Sequence, residues 1–283
     1  MRILAAGLIA LLAIAGCGKE VTPPPGPLVC AGSERLCERR YDEVSFATAH
    51  NAMSSEEEGF AGPNQKFKLS RQLAQGIRGF MLDVYSFEGK LYLCHVFCEL
   101  GKRPLVEALN ELRVFLELNP GELLTLQLES YVTGAEIAAD FEAAKLTPFA
   151  VVQPKDTPWP TLGELVKANK RLVVFAEKGG GSPDWYMELY AYSWETNYHF
   201  EKKSQFSCTI NRGDKKNALF TLNHFLTAPV ASPELAAQVN PNPCLIDRAR
   251  QCQAESGRLP NFVAVDFTSV GDVVGVVKAL NGL

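Results

Sequence analysis

The chain has 283 residues, 47% of them hydrophobic, with a formal net charge of −4. That balance argues against nucleic acid as a partner, since phosphate backbones call for basic patches. It argues equally against strong electrostatic docking onto an anionic membrane.

The first element is an export segment. Arg2 precedes an apolar run from Ile3 to Ala15, which ends in Ile14-Ala15-Gly16-Cys17. A short apolar core after a basic start reads as a signal peptide over residues 1–16, too short for a mature membrane span. The Ile-Ala-Gly-Cys ending resembles the lipobox of bacterial lipoproteins, which implies lipidation of Cys17. Gly18 is not the aspartate that signals inner-membrane retention, so the expected location is the bacterial envelope, at the outer membrane or cell surface. Residues 17–40 include a Pro-Pro-Pro-Gly-Pro stretch and read as an extended tether. Residues 41–283 are expected to form one domain, and a monomer.

Besides Cys17, the cysteines form local pairs, Cys30 with Cys37, Cys94 with Cys98, and Cys244 with Cys252, leaving Cys208 as the odd thiol. In an exported chain such pairs read as disulfides, although spacing does not fix connectivity. A zinc site at Cys94-His95-Val96-Phe97-Cys98 would need a second Cys/His cluster, and none is evident.

Three apolar runs open the domain, at Val44–Asn51, Gly76–Tyr85 and Leu91–His95. A helix is expected over Pro104–Asn119, with Leu105, Leu109, Leu112 and Leu116 near one face. Strand Leu123–Ser130, helix Ala135–Lys145 and strand Arg171–Glu177 follow. Gly179 to Asn217 reads as irregular. Leu219–Leu226 and Asn261–Thr268 are later strands, and Asp272–Leu283 closes the chain as a helix. This alternation indicates a parallel α/β arrangement, a distorted TIM-like (βα)8 barrel by length.

Two of the four histidines, His50 and His95, end apolar runs. Strand ends converge on one face of a parallel barrel. Two imidazoles there can serve one substrate as base and acid, because both titrate near neutrality. That suits phosphodiester cleavage; the alternative is a pair of ordinary polar strand ends.

A set of motifs runs from Tyr41 to the C-terminus. It comprises Ala49-His50-Asn51, Gln72-Leu73 with Gly76-Ile77-Arg78-Gly79-Phe80-Met81-Leu82-Asp83, Leu93-Cys94-His95 and Leu126-Gln127-Leu128-Glu129. Asn64-Gln65, Trp159-Pro160-Thr161-Leu162 and Asn261 through Phe267 accompany them. Together they resemble the X-domain of the phosphatidylinositol-specific phospholipase C superfamily, nearest its secreted X-domain-containing proteins. The resemblance implies cleavage of a phospholipid or related phosphodiester, with a cyclic phosphate and a diacylglycerol as products. His50 would be the base or a stabiliser of the phosphorane, and His95 the acid. Asp266 would orient His50, or is a strand-end or capping carboxylate.

Asn51, Asp83 and Glu129 match positions that bind calcium in one branch of that superfamily, so Ca2+ is the expected cofactor. Met81 stands where a further carboxylate often completes the shell. Glu177 and Phe175 fall where signalling enzymes hold phosphate-reading lysines, which disfavours polyphosphorylated headgroups. Lys178, Trp194 and Tyr198 are the candidate substrate contacts, while Arg78, His199 and His224 are expected to be structural. The alternatives are a phospholipase D or glycerophosphodiesterase-like barrel enzyme, and a non-catalytic surface binding protein on a retained barrel.

Overall fold

The computed structural model describes residues 26–283; the signal segment and Cys17 lie outside them. The strands are β1 (Phe46–Ala49), β2 (Gly79–Phe87), β3 (Lys90–Cys94), β4 (Lys102–Pro104), β5 (Leu124–Ser130), β6 (Leu172–Ala176), β7 (Tyr186–Glu188), β8 (Ser193–Thr196), β9 (Ile210–Gly213), β10 (Leu219–Asn223) and β11 (Phe262–Val265). The helices are α1 (Leu69–Ala74), α2 (Leu105–Leu118), α3 (Gly134–Ala143), α4 (Leu162–Lys167), α5 (Leu189–Tyr192), α6 (Pro233–Val239), α7 (Cys244–Ser256) and α8 (Val273–Leu280). All strands join one curled sheet in the order β7-β6-β5-β2-β1-β11-β10-β8-β9, with β3 and β4 branching from β2. Every pairing from β7 across to β8 is parallel, so this is a distorted TIM-like barrel, open at the seam between β7 and β8.

The strand sequences explain the burial. Leu172-Val173-Val174-Phe175-Ala176 is buried at every position, as expected when helices cover one sheet face and barrel side chains the other. On α2, Leu105, Leu109, Leu112 and Leu116 are fully buried against the sheet. Each such leucine stabilises the fold by about 1.5–3 kcal/mol. At the N-terminal end of the barrel Tyr41, Phe46, Trp159 and Phe262 pack as a plug, and the Tyr41 hydroxyl lies 2.5 Å from Thr125 Oγ1. Solvent therefore reaches the interior from the C-terminal face.

Beyond the tether, whose Cys30, Leu36 and Cys37 are buried against the domain because the disulfide turn packs on it, three sequence expectations need correction. β3 is not a barrel strand. β2 runs nine residues, past the barrel rim, and β3 folds back on it antiparallel, Val84 opposite Leu93. The hairpin return, not a parallel strand end, delivers His95 to the mouth. Second, Gly179 to Asn217 contains β7, α5, β8 and β9, short elements whose period is too brief to read. Third, Cys252 pairs with Cys208, Cα atoms 5.1 Å apart, and Cys244 is the free thiol. Cys244 and Cys252 both lie on α7. Eight residues of helix separate two Cα atoms by about 12 Å, far beyond disulfide reach. The Cys30–Cys37 and Cys94–Cys98 bonds form as paired in the sequence. Among the described residues, no helix is long and apolar enough to cross a membrane.

Candidate active site

His50 directly follows β1, and its ring lies at the mouth of a cavity of about 260 Å³. Its Nδ1 is 2.8 Å from Asp266 Oδ1. A carboxylate only accepts, so Nδ1 carries a proton, and in the neutral ring the lone pair lies on Nε2. Phe225 stacks on the imidazole, ring centres 3.9 Å apart and planes within 5°. Asp266, just past β11, is 3% exposed. Asn64 Nδ2 also donates to its Oδ1, at 3.0 Å. Gln65 Nε2 bonds the His50 carbonyl at 2.8 Å and the Val265 carbonyl at 3.1 Å. The Asn64-Gln65 pair thus fixes both halves of the dyad.

The proton order continues to the second histidine. Because Asn64 Nδ2 faces Asp266, its Oδ1 must accept, and Asn51 Nδ2 lies 3.4 Å from it. The same Asn51 Nδ2 is 3.2 Å from His95 Nε2. An amide nitrogen only donates, so His95 is neutral at Nε2. Burial lowers the His95 pKa, and the nearby His50 lowers it further. Asn51 holds φ +43°, a left-handed conformation rare outside glycine, directly after β1. Local strain at a site residue costs on the order of 1–3 kcal/mol and persists where neighbours hold it. The Cys94–Cys98 bond clamps the loop that carries His95.

Asp83 and Glu129 are register partners on β2 and β5, and Glu177 N–H bonds the Leu128 carbonyl one strand further on. Three carboxylates therefore line up along adjacent strand ends. Asp83 is 7% exposed, and its side chain makes no hydrogen bond or ion pair among the described residues. Burial first, then Glu129 and Glu177, push its carboxyl well above the usual carboxylate range. The Tyr131 hydroxyl bonds Glu129, and Tyr85 stacks on Tyr131 at 4.3 Å.

Among the described residues no group of three or more His, Cys, Asp or Glu is arranged to hold a metal. The oxygens are of the kind calcium takes: Asn51, with both amide hydrogens directed to protein acceptors, keeps Oδ1 free, Asp83 has no side-chain partner among the described residues, and Glu129 has only the Tyr131 hydroxyl on one oxygen. Met81 lines the same cavity and offers it no oxygen.

His50, Asn51, Asp83, His95, Glu129 and Tyr198 line one cavity, and Asp266 stands behind His50. Trp194 does not join them. It is fully buried on β8 and stacks on Phe220 at 3.8 Å, so it is core and not a headgroup contact. Lys178 is absent from the cavity wall and rests 4.5 Å from the Tyr131 ring centre, in the solvent-exposed rim. The helix and strand ends carrying Arg78 and His224 are held structurally: Arg78 Nε bonds Glu122 at 2.7 Å, and His224, fully buried and pushed down to about 3, meets the Val239 carbonyl.

Sequence reasoning missed Arg212. It sits on β9 and reaches across the open seam to Glu177 on both oxygens, at 2.9 and 3.0 Å, and to Glu195 at 2.5 Å. Tyr190 and Tyr198 flank its guanidinium at 4.9 and 4.8 Å. Its strand belongs to the segment that offered no period, so only its pairing with Glu177 could have flagged it. Phe225 was likewise invisible, since an aromatic after a buried strand reads as core.

The sequence profile of the PI-PLC X family matches residues 36–281. A PI-PLC X domain-containing protein of Arabidopsis thaliana is 29% identical over 85% of this chain, which spans 62% of the plant protein. PI-PLC X domain-containing protein 1 of Arthroderma benhamiae is 27% identical over 92% of each chain. An uncharacterized secreted protein of the same fungus is 26% identical, with 63% of its length covered. These relatives are plant and fungal, so the bacterial lipoprotein reading gains nothing from them. Among solved structures, the phosphatidylinositol-specific phospholipase C of Listeria monocytogenes aligns with a TM-score of 0.52 at 16% identity, covering 85% of this chain and 93% of that one. A Staphylococcus aureus phosphatidylinositol-specific phospholipase C aligns at 0.57 and 13% identity, covering 87% and 95%. At such identities the likeness is one of fold. With the family profile spanning nearly the whole described domain, the chain belongs to the PI-PLC X family.

Proposed function

We propose that the protein is an exported phosphodiesterase that cleaves a phosphatidylinositol-like phospholipid by paired histidine chemistry. The observation that carries this reading is the His50–Asp266 dyad facing His95 across one cavity, with the amides of Asn64 and Asn51 linking the two.

His50 Nε2 takes the proton of a headgroup hydroxyl next to the ester, and that oxygen attacks phosphorus. His95, charged once an anionic diester lies beside it, gives a proton to the departing glyceryl oxygen. The P–O bond to diacylglycerol breaks, and a five-membered cyclic phosphate remains on the headgroup. Asp266 stabilises the imidazolium that forms on His50. Each proton transfer of this kind contributes typically ~10²–10⁴-fold. Calcium, held by Asn51, Asp83 and Glu129, would offset the charge that grows on phosphorus.

The disulfides and the signal-like segment support export, and the Ile14-Ala15-Gly16-Cys17 ending supports an acylated Cys17 and attachment to a bacterial envelope membrane. Incubation with phosphatidylinositol vesicles, followed by product analysis, tests the function. Diacylglycerol with a cyclic inositol phosphate is the expected outcome. Phosphatidic acid would indicate phospholipase D chemistry, and no product on any diester would leave a binding protein.

A further inference from the structure

Opposite the histidines, the cavity wall changes character. Glu177 and Glu195 share the single guanidinium of Arg212, so this half carries one net negative charge when all three are ionised. Both Glu177 oxygens are engaged by Arg212; Glu195 uses its second oxygen on Asn223 Nδ2, at 3.1 Å. No other guanidinium and no ammonium group lines the cavity among the described residues.

A second, independent feature is Gln127 on the same wall. It is 3% exposed, and its Nε2 lies 3.4 Å from Thr221 Oγ1 while its Oε1 has no partner among the described residues. A buried acceptor without a donor is costly, so the wall calls for a ligand that donates. Tyr198 completes it with a ring that is 44% exposed at the cavity edge. Tyrosine faces attract cations.

We propose that this half of the cavity selects a headgroup bearing a protonated amine. The inference rests on the phosphodiesterase reading for its setting and names the preferred substrate class: an amine-bearing headgroup is favoured over the neutral inositol headgroup, which remains a weaker substrate. A neutral polyol would satisfy Gln127 but leave the net charge unmatched. A headgroup phosphate would meet Glu177 and Glu195 and be repelled. An ammonium group supplies both the donor and the charge. The hydroxyl attack still needs a hydroxyl next to the ester. An aminoacyl ester of phosphatidylglycerol carries both groups, and phosphatidylglycerol itself carries only the hydroxyl.

The first arm of the test is binding, measured by calorimetry with full-length His95→Ala, which holds the ligand without turnover. The probes are glycerophosphoethanolamine, glycerophosphoglycerol and glycerophosphoinositol. The amine is expected to bind at least ~10-fold tighter, equivalent to about 1.4 kcal/mol, and the preference should fade as salt rises. Adding Glu177→Gln should abolish it; the salt dependence of the parent decides the matter if that variant does not fold. Equal binding, tighter binding of either uncharged headgroup, no binding of any, or a preference that survives both Glu177→Gln and high salt would overturn the proposal. The second arm compares turnover of vesicles containing phosphatidylglycerol or its lysyl ester by the wild-type protein. Faster cleavage of the lysyl ester supports the proposal. Equal cleavage overturns it and leaves the phosphodiesterase reading standing. Selective binding with no cleavage of any diester supports the headgroup selectivity and defeats the phosphodiesterase reading.

Discussion

Replacing Asp266 by asparagine separates two roles that one carboxylate plays. Oδ1 accepts from His50 Nδ1 at 2.8 Å and from Asn64 Nδ2 at 3.0 Å, while Oδ2 is buried with no partner among the described residues. An amide therefore fits one way round. Its oxygen keeps both bonds, and its nitrogen takes the place of Oδ2. Ring orientation and tautomer survive, and only the charge is lost. A hydrogen bond to a charged group is worth about 1.5–3 kcal/mol and a neutral one about 1, so the loss is about 0.5–2 kcal/mol. That corresponds to a drop of roughly 2–30-fold in kcat/KM. Asp266→Ala removes the orienting bond as well and should approach the ~10²–10⁴-fold scale of losing the base. Steady-state rates on phosphatidylinositol vesicles, with circular dichroism to verify folding, read both. Equal losses for the two substitutions would refute the orientation argument. Wild-type rates for Asp266→Ala would show that the dyad is not used.

Closing 44 residues with the Cys208–Cys252 bond stabilises the fold by about 4 kcal/mol in the chain-entropy treatment, so Cys208→Ser should lower the denaturation midpoint sharply and Cys244→Ser should barely move it; the reverse order would restore the Cys244–Cys252 pairing. Asp83 has its carboxyl raised by burial and by Glu129 and Glu177, so the folded state holds that proton more tightly than the unfolded chain. Its contribution to stability is retained at acid pH and lost as pH rises from the ordinary aspartate range through the raised value. In chelator, Asp83→Asn should raise Tm at neutral pH and change little below about pH 4, where an unfolded aspartate is itself mostly protonated; a lower Tm at neutral pH would contradict the carboxylate row. Cys17→Ser should move the protein from the membrane to the soluble fraction, and an unchanged distribution with no lipid on the mature N-terminus would rule out the acyl anchor.

Strongly periodic segments announced themselves. The leucines of α2 and the buried run of β6 needed only hydrophobic spacing, and both are where the sequence puts them. The parallel barrel followed from the alternation of such segments. His50 and His95 were legible as a pair, but the path of His95 was not. Nothing in Leu91–His95 distinguishes an antiparallel return from a barrel strand, because both present the same apolar run; the length of β2 beyond the rim decides it. Trp194 misled for a related reason. On a four-residue strand the inward and outward positions cannot be told apart by period, and the indole fell to the core while Glu195 beside it faces the cavity. Arg212 depends on a seam that exists only once the sheet curls. The Cys208–Cys252 bond likewise depends on α7, a polar helix with little apolar pattern to reveal it.

The measurement closest to the central claim is turnover by His50→Ala and His95→Ala, each assayed on phosphatidylinositol vesicles with the diacylglycerol and the cyclic phosphate quantified. Both variants should fold, and each should lose activity by ~10²–10⁴-fold. Near-wild-type turnover in either one would contradict the two-histidine mechanism.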